Sequence, residues 1–333
     1  MKRRNLVQKI AFVALSLALL GLYACKRTTK NAEMEQSDST LQIATEPFFK
    51  LSLAQWSINK MIRNEGVDPY TFAEKAKAWG FEGLEYVSQL YRKELEAVNY
   101  SDEAMKNFIE KNNAEAEKYG LKNLIIMVDG QGPLAAVDDN ERDTAVKNHY
   151  KWVDAAAAMG CHSIRVNLQG SMEPEEWIEK SVDGLTKLAT YAADKNINII
   201  VENHGGPSSN GAWLAEVMKQ VGMSNCGTLP DFGNFCVKRK NGSYYESKCL
   251  DEYDKYKGVE ELMPYAKAVS AKSYAFDETG AETKIDYGKM LKIVKDAEYT
   301  GYIGVEYEGE ELSEEAGILA TKKLLVEAAK KLK

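Results

Sequence analysis

Residues 196–206 read NINIIVENHGG: an apolar, β-branched run from Ile197 to Val201 stops on Glu202, Asn203 and His204, ahead of two glycines. Apolar residues at alternate positions have the period of an extended strand. A strand that ends on a carboxylate and an imidazole either begins an ordinary polar turn or reaches the rim of a site. The choice depends on whether the rest of the chain repeats the pattern.

It does. Short apolar or β-branched runs recur at 49–58 (FKLSLAQWSI), Gly83–Val87, Leu121–Val128, Ser163–Leu168, Ile197–Val201, Cys226–Asp231, Ala268–Phe276 and Ile303–Glu308. Between them lie segments of helical periodicity: Tyr70–Trp79, Asp102–Tyr119, Asp143–Met159, Pro174–Asp194, Trp213–Val221, Gly258–Lys267, Tyr287–Ala297 and Ser313–Leu332. Three helices run into glycine just before the next strand, at Trp79-Gly80, Tyr119-Gly120 and Met159-Gly160, which is a helix-stop signal. Eight strand–helix units about 30 to 40 residues apart predict an α/β (β/α)8 TIM barrel over 47–333. An open doubly wound sheet is disfavoured because no glycine-rich phosphate fingerprint follows the first strand.

A barrel carries its chemistry at the C-terminal ends of its strands. There the sequence places Glu202 and His204 on strand 5, Asp231 on strand 6, Lys272 on strand 7 and Glu306 on strand 8. A lone strand-end acid is usually a solvated turn residue, but acids on three strands with an amine between them need a cation or a shared proton. An oxygen-rich cluster with one imidazole suits a divalent metal: Mn²⁺, Mg²⁺ or Zn²⁺. Glu202, Asp231, Glu306 and His204 are the candidate ligands, and Glu202, Glu306 and Lys272 the candidate catalytic residues. Trp56, Glu85, Arg165, Asn167, Asn234 and Glu308 lie at other strand ends as candidate substrate contacts, although Glu85 and Arg165 can also pair with each other inside the barrel. The long connection after strand 6, with Tyr244 and Tyr245, is either a lid over the mouth or surface decoration.

The ordered set VENHGG (201–206), LPDFGNF (229–235), PYAKAVSAKSYAFD (264–277) and GYIGVEYEG (301–309) resembles the sugar phosphate isomerase/epimerase branch of the xylose-isomerase-like TIM barrels. The resemblance implies four strand ends that bind one divalent ion through Glu, Asp, His and Glu. It also implies two glutamates that move a proton on carbon beside a carbonyl through an enediolate. Glu202, Asp231 and Glu306 fall on matching positions. The family's His-x-Lys on strand 7 here reads Ser270-Ala271-Lys272, so the histidine ligand is replaced by a serine. His204 or water then fills the gap, the ion is weakly held, or Lys272 offsets the acids directly. The related apurinic-site endonucleases use a histidine-rich multi-zinc centre, and this chain has only His149, His162 and His204. His149, on a helix, and His162, at the start of strand 4, read as structural.

The N-terminus sets the compartment. Lys2, Arg3, Arg4 and Lys9 precede an apolar run from Ile10 to Leu22, which predicts a signal peptide over 1–24. Tyr23-Ala24-Cys25 resembles a bacterial lipobox, so Cys25 is the expected lipidation site, followed by a polar tether to residue 46. The apolar run falls short of the roughly 20 residues a membrane span needs. The expected product is a membrane-anchored, periplasm-facing lipoprotein that touches the membrane only through its lipid. Of 43 basic and 50 acidic residues, four basic ones lie in 1–24, which leaves 39 against 50, a net charge of −11. Such an acidic chain is not built for phosphate backbones, and no nucleic-acid partner is expected. No CxxC pair marks a structural zinc site, and a Cys236–Cys249 bridge is one possible pairing. The expected ligand is a non-phosphorylated sugar or sugar derivative. Two alternatives stand beside isomerisation: a lyase or hydratase acting on a keto sugar or glycoside, and a non-catalytic sugar-binding lipoprotein.

Overall fold

A computed structural model describes residues 47–245 and 247–332. The expected signal peptide, Cys25 and tether lie outside the described residues. Eight strands form one parallel sheet: β1 (Lys50–Ala54), β2 (Gly83–Val87), β3 (Lys122–Met127), β4 (Ser163–Val166), β5 (Asn198–Glu202), β6 (Cys226–Leu229), β9 (Val269–Ser273) and β10 (Tyr302–Tyr307). Their order is β6-β5-β4-β3-β2-β1-β10-β9. The sheet closes between its outer members, where Lys267 N donates to Thr228 O (3.0 Å), Ser270 N to Pro230 O (2.9 Å) and Phe232 N to Ser270 O (3.1 Å). This is the predicted (β/α)8 barrel. Closure leaves no exposed sheet edge, so each backbone ladder is satisfied on both sides.

The outer layer holds α2 (Phe72–Ala78), α4 (Asp102–Tyr119), α5 (Asp139–Met159), α6 (Pro174–Ala193), α7 (Gly211–Val221), α8 (Lys255–Leu262), α9 (Tyr287–Asp296) and α10 (Glu314–Lys331). Two short turns of helix, α1 (Asn59–Arg63) and α3 (Arg92–Glu96), follow β1 and β2. Asp138, Asn210, Asp286 and Ser313 cap helix N-termini by accepting from backbone N–H groups two or three residues into the helix. Gly120 and Gly160 end α4 and α5 in the left-handed region, as the two glycine pairs predict. Between sheet and helices the core is filled by Trp152, Trp177, Phe108 and aliphatic side chains that are almost wholly buried.

Several strand limits differ from the sequence reading, and at two of them a side chain is the reason. The first strand ends at Ala54 because Gln55 turns into a 3-10 helix (Gln55–Ile58) and its side chain replaces the ladder. Val87 N donates to Gln55 Oε1 (3.0 Å), and Gln55 Nε2 donates to Tyr91 Oη (2.9 Å) and Pro69 O (3.1 Å). The seventh barrel strand ends at Ser273, where the Glu282 carboxylate takes over the N–H groups of Tyr274 and Ala275.

The connection after β6 is an antiparallel hairpin of β7 (Cys236–Arg239) and β8 (Cys249–Glu252), joined by the Cys236–Cys249 disulfide. Its tip docks on neighbouring loops. Tyr244 Oη accepts from Gly170 N (3.0 Å) and donates to Gly170 O (3.1 Å). Gly206, at φ +64°, passes so close that a Cβ there would lie 2.6 Å from the Tyr244 ring. Gly206→Ala combines a left-handed strain of about 1–2 kcal/mol with loss of this docking. The expected result is a lower melting temperature and faster trypsin cleavage around Lys238–Lys240; an unchanged cleavage rate would show that the tip is not held there.

Candidate active site

Glu202 is the last residue of β5, Asp231 lies just past β6, Lys272 is inside β9 and Glu306 inside β10, paired in register with Lys272. All four are buried, Asp231 completely. One oxygen from each of Glu202, Asp231 and Glu306 falls within 4.8 Å of the others. Lys272 Nζ sits 3.0 Å from Glu306 Oε1, 3.3 Å from Glu308 Oε1 and 3.9 Å from Asp231 Oδ2. Four elements far apart in the chain therefore converge on one point at the C-terminal end of the barrel.

Ser270 occupies the position where the resemblance implies a histidine. Its Oγ is 2.6 Å from Asp231 Oδ2 and 3.0 Å from Glu306 Oε2. A hydroxyl has one proton to give, so two ionised carboxylates on it cannot both be satisfied. The charges resolve this. Burial, then the neighbouring Glu202 and Glu306, push Asp231 well above the carboxylate range. Burial also pushes Glu306 up, but Lys272 and its hydrogen bond more than offset that and hold Glu306 below its ordinary value. Both acids thus draw on the one Ser270 hydroxyl, and they differ in preference: Asp231 leans to its neutral form and Glu306 to its ionised form. Asp231 Oδ1 meanwhile accepts from Gly233 N (2.8 Å) and Asn234 N (2.9 Å).

Burial raises Glu202 to about 7 against the pull of Arg165. Asn234 Nδ2 donates to Glu202 Oε1 (2.9 Å), and Arg165 Nε lies 3.0 Å from Glu202 Oε2, an ion pair whose N–H is not aimed at the oxygen. Burial opposes the charge on Lys272, but Glu306, Glu308 and Asp231 raise it well above the usual lysine value. Lys272 is therefore a fixed ammonium, not the depressed amine that base chemistry would need.

Glu306 and Glu308 line a cavity of about 740 Å³ at the barrel mouth, together with Trp56, Arg165, Asn167, His204, Asn234, Tyr245 and Tyr274 among others, while Glu202 and Asp231 are buried beneath that lining. Five of the six candidate substrate contacts thus line one cavity. The sixth does not: Glu85 points into the barrel interior below the mouth, where it accepts from Ser52 Oγ (2.6 Å) and packs against Gly304. Burial raises it to about 8 despite that hydrogen bond, so it is neutral at neutral pH. His204 is also not brought to the carboxylate cluster. The strand ends at Glu202, the i, i+2 relation lapses, and the ring turns to the hairpin, with Nδ1 3.2 Å from Tyr245 Oη. Burial, then Arg165, lower His204 to about 4.

Two residues of the site are not among the candidates, although the 129–133 loop after strand 3 is expected near the mouth. Asp129, at the start of the loop after β3, accepts from Arg165 Nη1 and Asn167 Nδ2, both at 2.8 Å, and so anchors two cavity residues. Asn203, fully buried, accepts from Asp231 N (2.8 Å) and donates to Asp231 O (3.0 Å), which fixes the height of Asp231. The signal for Asp129 was an acid directly after an apolar strand; for Asn203 it was an amide between two candidate site residues. His149, read as structural, is buried with its ring against the mouth cavity and Nδ1 2.7 Å from Ala145 O.

A barrel of this strand order with three converging acids and a lysine defines the class. The model of the xylose isomerase-like TIM barrel family matches residues 73–331, and the chain belongs to that family. Among solved structures, the chain is similar to the IolI protein with a bound zinc atom, at TM-score 0.63 and 16% identity over 85% of this chain and 99% of that one. It is similar to a D-tagatose 3-epimerase-like protein, at TM-score 0.58 and 16% identity over 84% and 97%. It is also similar to 3-keto-D-glucoside 4-epimerase from E. coli, at TM-score 0.58 and 15% identity over 83% and 98%. At these identities the likeness is one of fold. A 48-residue stretch is 44% identical to the 3'-dehydrocarminate deglycosidase alpha subunit of Microbacterium sp., and spans 14% of this chain and 14% of that relative.

Proposed function

We propose that the chain removes a proton from a carbon beside a carbonyl of a non-phosphorylated carbohydrate, forms an enediolate, and returns the proton as a sugar epimerase or isomerase. The observation that carries this reading is the convergence of Glu202, Asp231 and Glu306 within 4.8 Å beneath a sugar-sized polar cavity, with Lys272 beside them. Two carboxylates at one carbon supply both halves of a proton transfer, one as base and one as acid. Lys272 holds positive charge where an enediolate oxygen develops negative charge, and Arg165 and Asn167 present donors to hydroxyls. Burial excludes water from the transferred proton.

The three carboxylates fit a divalent ion: their oxygens are close enough to share one, and an all-oxygen set suits Mn²⁺ or Mg²⁺, with Zn²⁺ as a further candidate. Glu202, Asp231 and Glu306 would hold it, and it would polarise the substrate carbonyl. Elemental analysis of protein prepared without chelator should find about one equivalent of divalent metal in the wild type and none in the Glu202→Gln, Asp231→Asn double variant. A metal-free wild type that also fails to take up added Mn²⁺ would shift the weight to metal-independent proton transfer with the Lys272 ammonium balancing the acids, or to the sugar-binding reading.

The likeness to a deglycosidase subunit favours elimination as a second reading. The carbon beside the carbonyl loses its proton to a carboxylate, the electron pair forms the C=C bond, and the next carbon expels an alkoxide that is protonated as it leaves. The test for both is incubation with ketoses and 3-keto-glycosides in D₂O. An epimer or isomer that carries deuterium from the solvent on the reacting carbon is the expected result; a released alcohol, with the hydrogen lost from the carbon beside the carbonyl, would mark elimination instead. Tight sugar binding with no exchange on any of them would leave the sugar-binding reading. We further propose that the chain is exported and anchored through Cys25, on the strength of the charged and apolar segments before it; radiolabelled palmitate that fails to appear in the wild-type protein, or that appears equally in Cys25→Ser, would reject it.

A further inference from the structure

We propose that Gln169 and Tyr245 hold His204 as an Nε2–H donor aimed into the mouth cavity, where it serves an oxygen of the substrate. Gln169 Nε2 donates to Tyr245 Oη at 2.6 Å. An accepting hydroxyl keeps its own proton for the next acceptor in line, which is His204 Nδ1 at 3.2 Å. A neutral imidazole that accepts at Nδ1 carries its proton on Nε2. Among the described residues no hydrogen bond engages that Nε2–H. The backbone fixes the base of the ring, since His204 N donates to Ser208 Oγ (3.1 Å). A tyrosine phenol is protonated at neutral pH, so Tyr245 has a proton to donate to His204 Nδ1.

His204 lines the mouth cavity, together with Asn234 and Glu306, and also a smaller cavity under the hairpin; Nε2 lies on the side of the ring away from the Tyr245 hydroxyl, free for an oxygen of a bound sugar. A neutral imidazole N–H in a water-poor site strengthens as a donor when negative charge grows on its partner oxygen, and it need not surrender its proton. His204 thereby gains a role apart from metal ligation. Tyr245 and Gln169 are positioning residues, and they give the disulfide-joined hairpin a part in the site: the hairpin delivers the hydroxyl that orients the histidine. The inference rests on the proposed carbohydrate chemistry only for the identity of the oxygen.

His149 supplies an internal reference. Its Nδ1 lies 2.7 Å from the Ala145 carbonyl, which can only accept, so His149 is an Nδ1–H tautomer. Two-bond ¹H–¹⁵N correlation spectra of the ¹⁵N-histidine-labelled full chain with Mg²⁺ should show His204 and His149 as opposite tautomers, assigned by His204→Gln and His149→Gln. In Tyr245→Phe the His204 pattern should move toward the other tautomer, while that of His149 stays. An Nδ1–H tautomer for His204 in the wild type overturns the proposal even if no variant folds, and so does an unchanged His204 pattern in Tyr245→Phe. On a sugar that shows proton exchange, His204→Phe should lower kcat by about 10²-fold with little change in KM; an undiminished kcat would also overturn it. The tautomer is read without substrate, so its failure is separate from failure of the proposed reaction.

Discussion

Lys272→Met is expected to cost about 3–5 kcal/mol of unfolding free energy in metal-free protein, the penalty for stranding buried charge without its partner. The ammonium is almost wholly buried and lies 3.0 Å from Glu306 and 3.3 Å from Glu308, with Asp231 at 3.9 Å. Methionine fills a similar volume and removes only the charge. Glu306 then loses the cation that keeps it ionised and must take up a proton, which its hydrogen bond from Ser270 disfavours. Urea unfolding with a chelator present reads the loss, and added Mn²⁺ should recover part of it, because a divalent ion among the same oxygens replaces the missing charge. An unchanged urea midpoint in chelator would mean that the acids share protons and never needed the lysine.

Glu306→Gln and Glu202→Gln are each expected to cut proton exchange by about 10²–10⁴-fold, the usual worth of a positioned acid or base. The two should part company in stability. Burial and the nearby Glu306 raise Glu202, and Arg165 keeps Asp129 as a partner when Glu202 is neutral. Glu202→Gln should therefore fold at least as stably as the wild type in chelator while turning over poorly, the sign of a site that trades stability for function. Glu306→Gln removes the closest partner of Lys272 and should be less stable than Glu202→Gln. Wild-type exchange in either variant would sink the two-carboxylate scheme.

The contrast between Glu202 and Glu85 shows how far strand reading reaches. Both alternate correctly onto the barrel interior, and the recurrence of strand and helix was enough to make the barrel itself legible. Parity gives the face of a strand but not the depth along it: Glu202 closes β5, whereas Glu85 is the middle residue of β2 and lands a layer lower. His204 failed differently, since the i, i+2 rule holds only while the chain stays extended, and the strand ends two residues before it. The β7–β8 hairpin was hidden because its strands are short and highly charged, and because its stability comes from a crosslink and from tyrosines docked on distant loops. Asp129 matters only through Arg165 and Asn167 on another strand, a relation that no local pattern carries.

The cysteine arrangement bears on how this protein must be made. Cys161 and Cys226 are buried behind helices, with their thiols raised by burial, Cys226 to about 12, so neither offers a thiolate to an oxidant once the barrel is closed. Among the described residues only Cys236 and Cys249 remain to react, and the hairpin already sets their Cα atoms 5.8 Å apart. Among these four cysteines, oxidation after folding then has a single outcome, whereas oxidation of the unfolded chain has several. A reduced preparation, allowed to fold and exposed to air afterwards, should reach the native pairing without an isomerase.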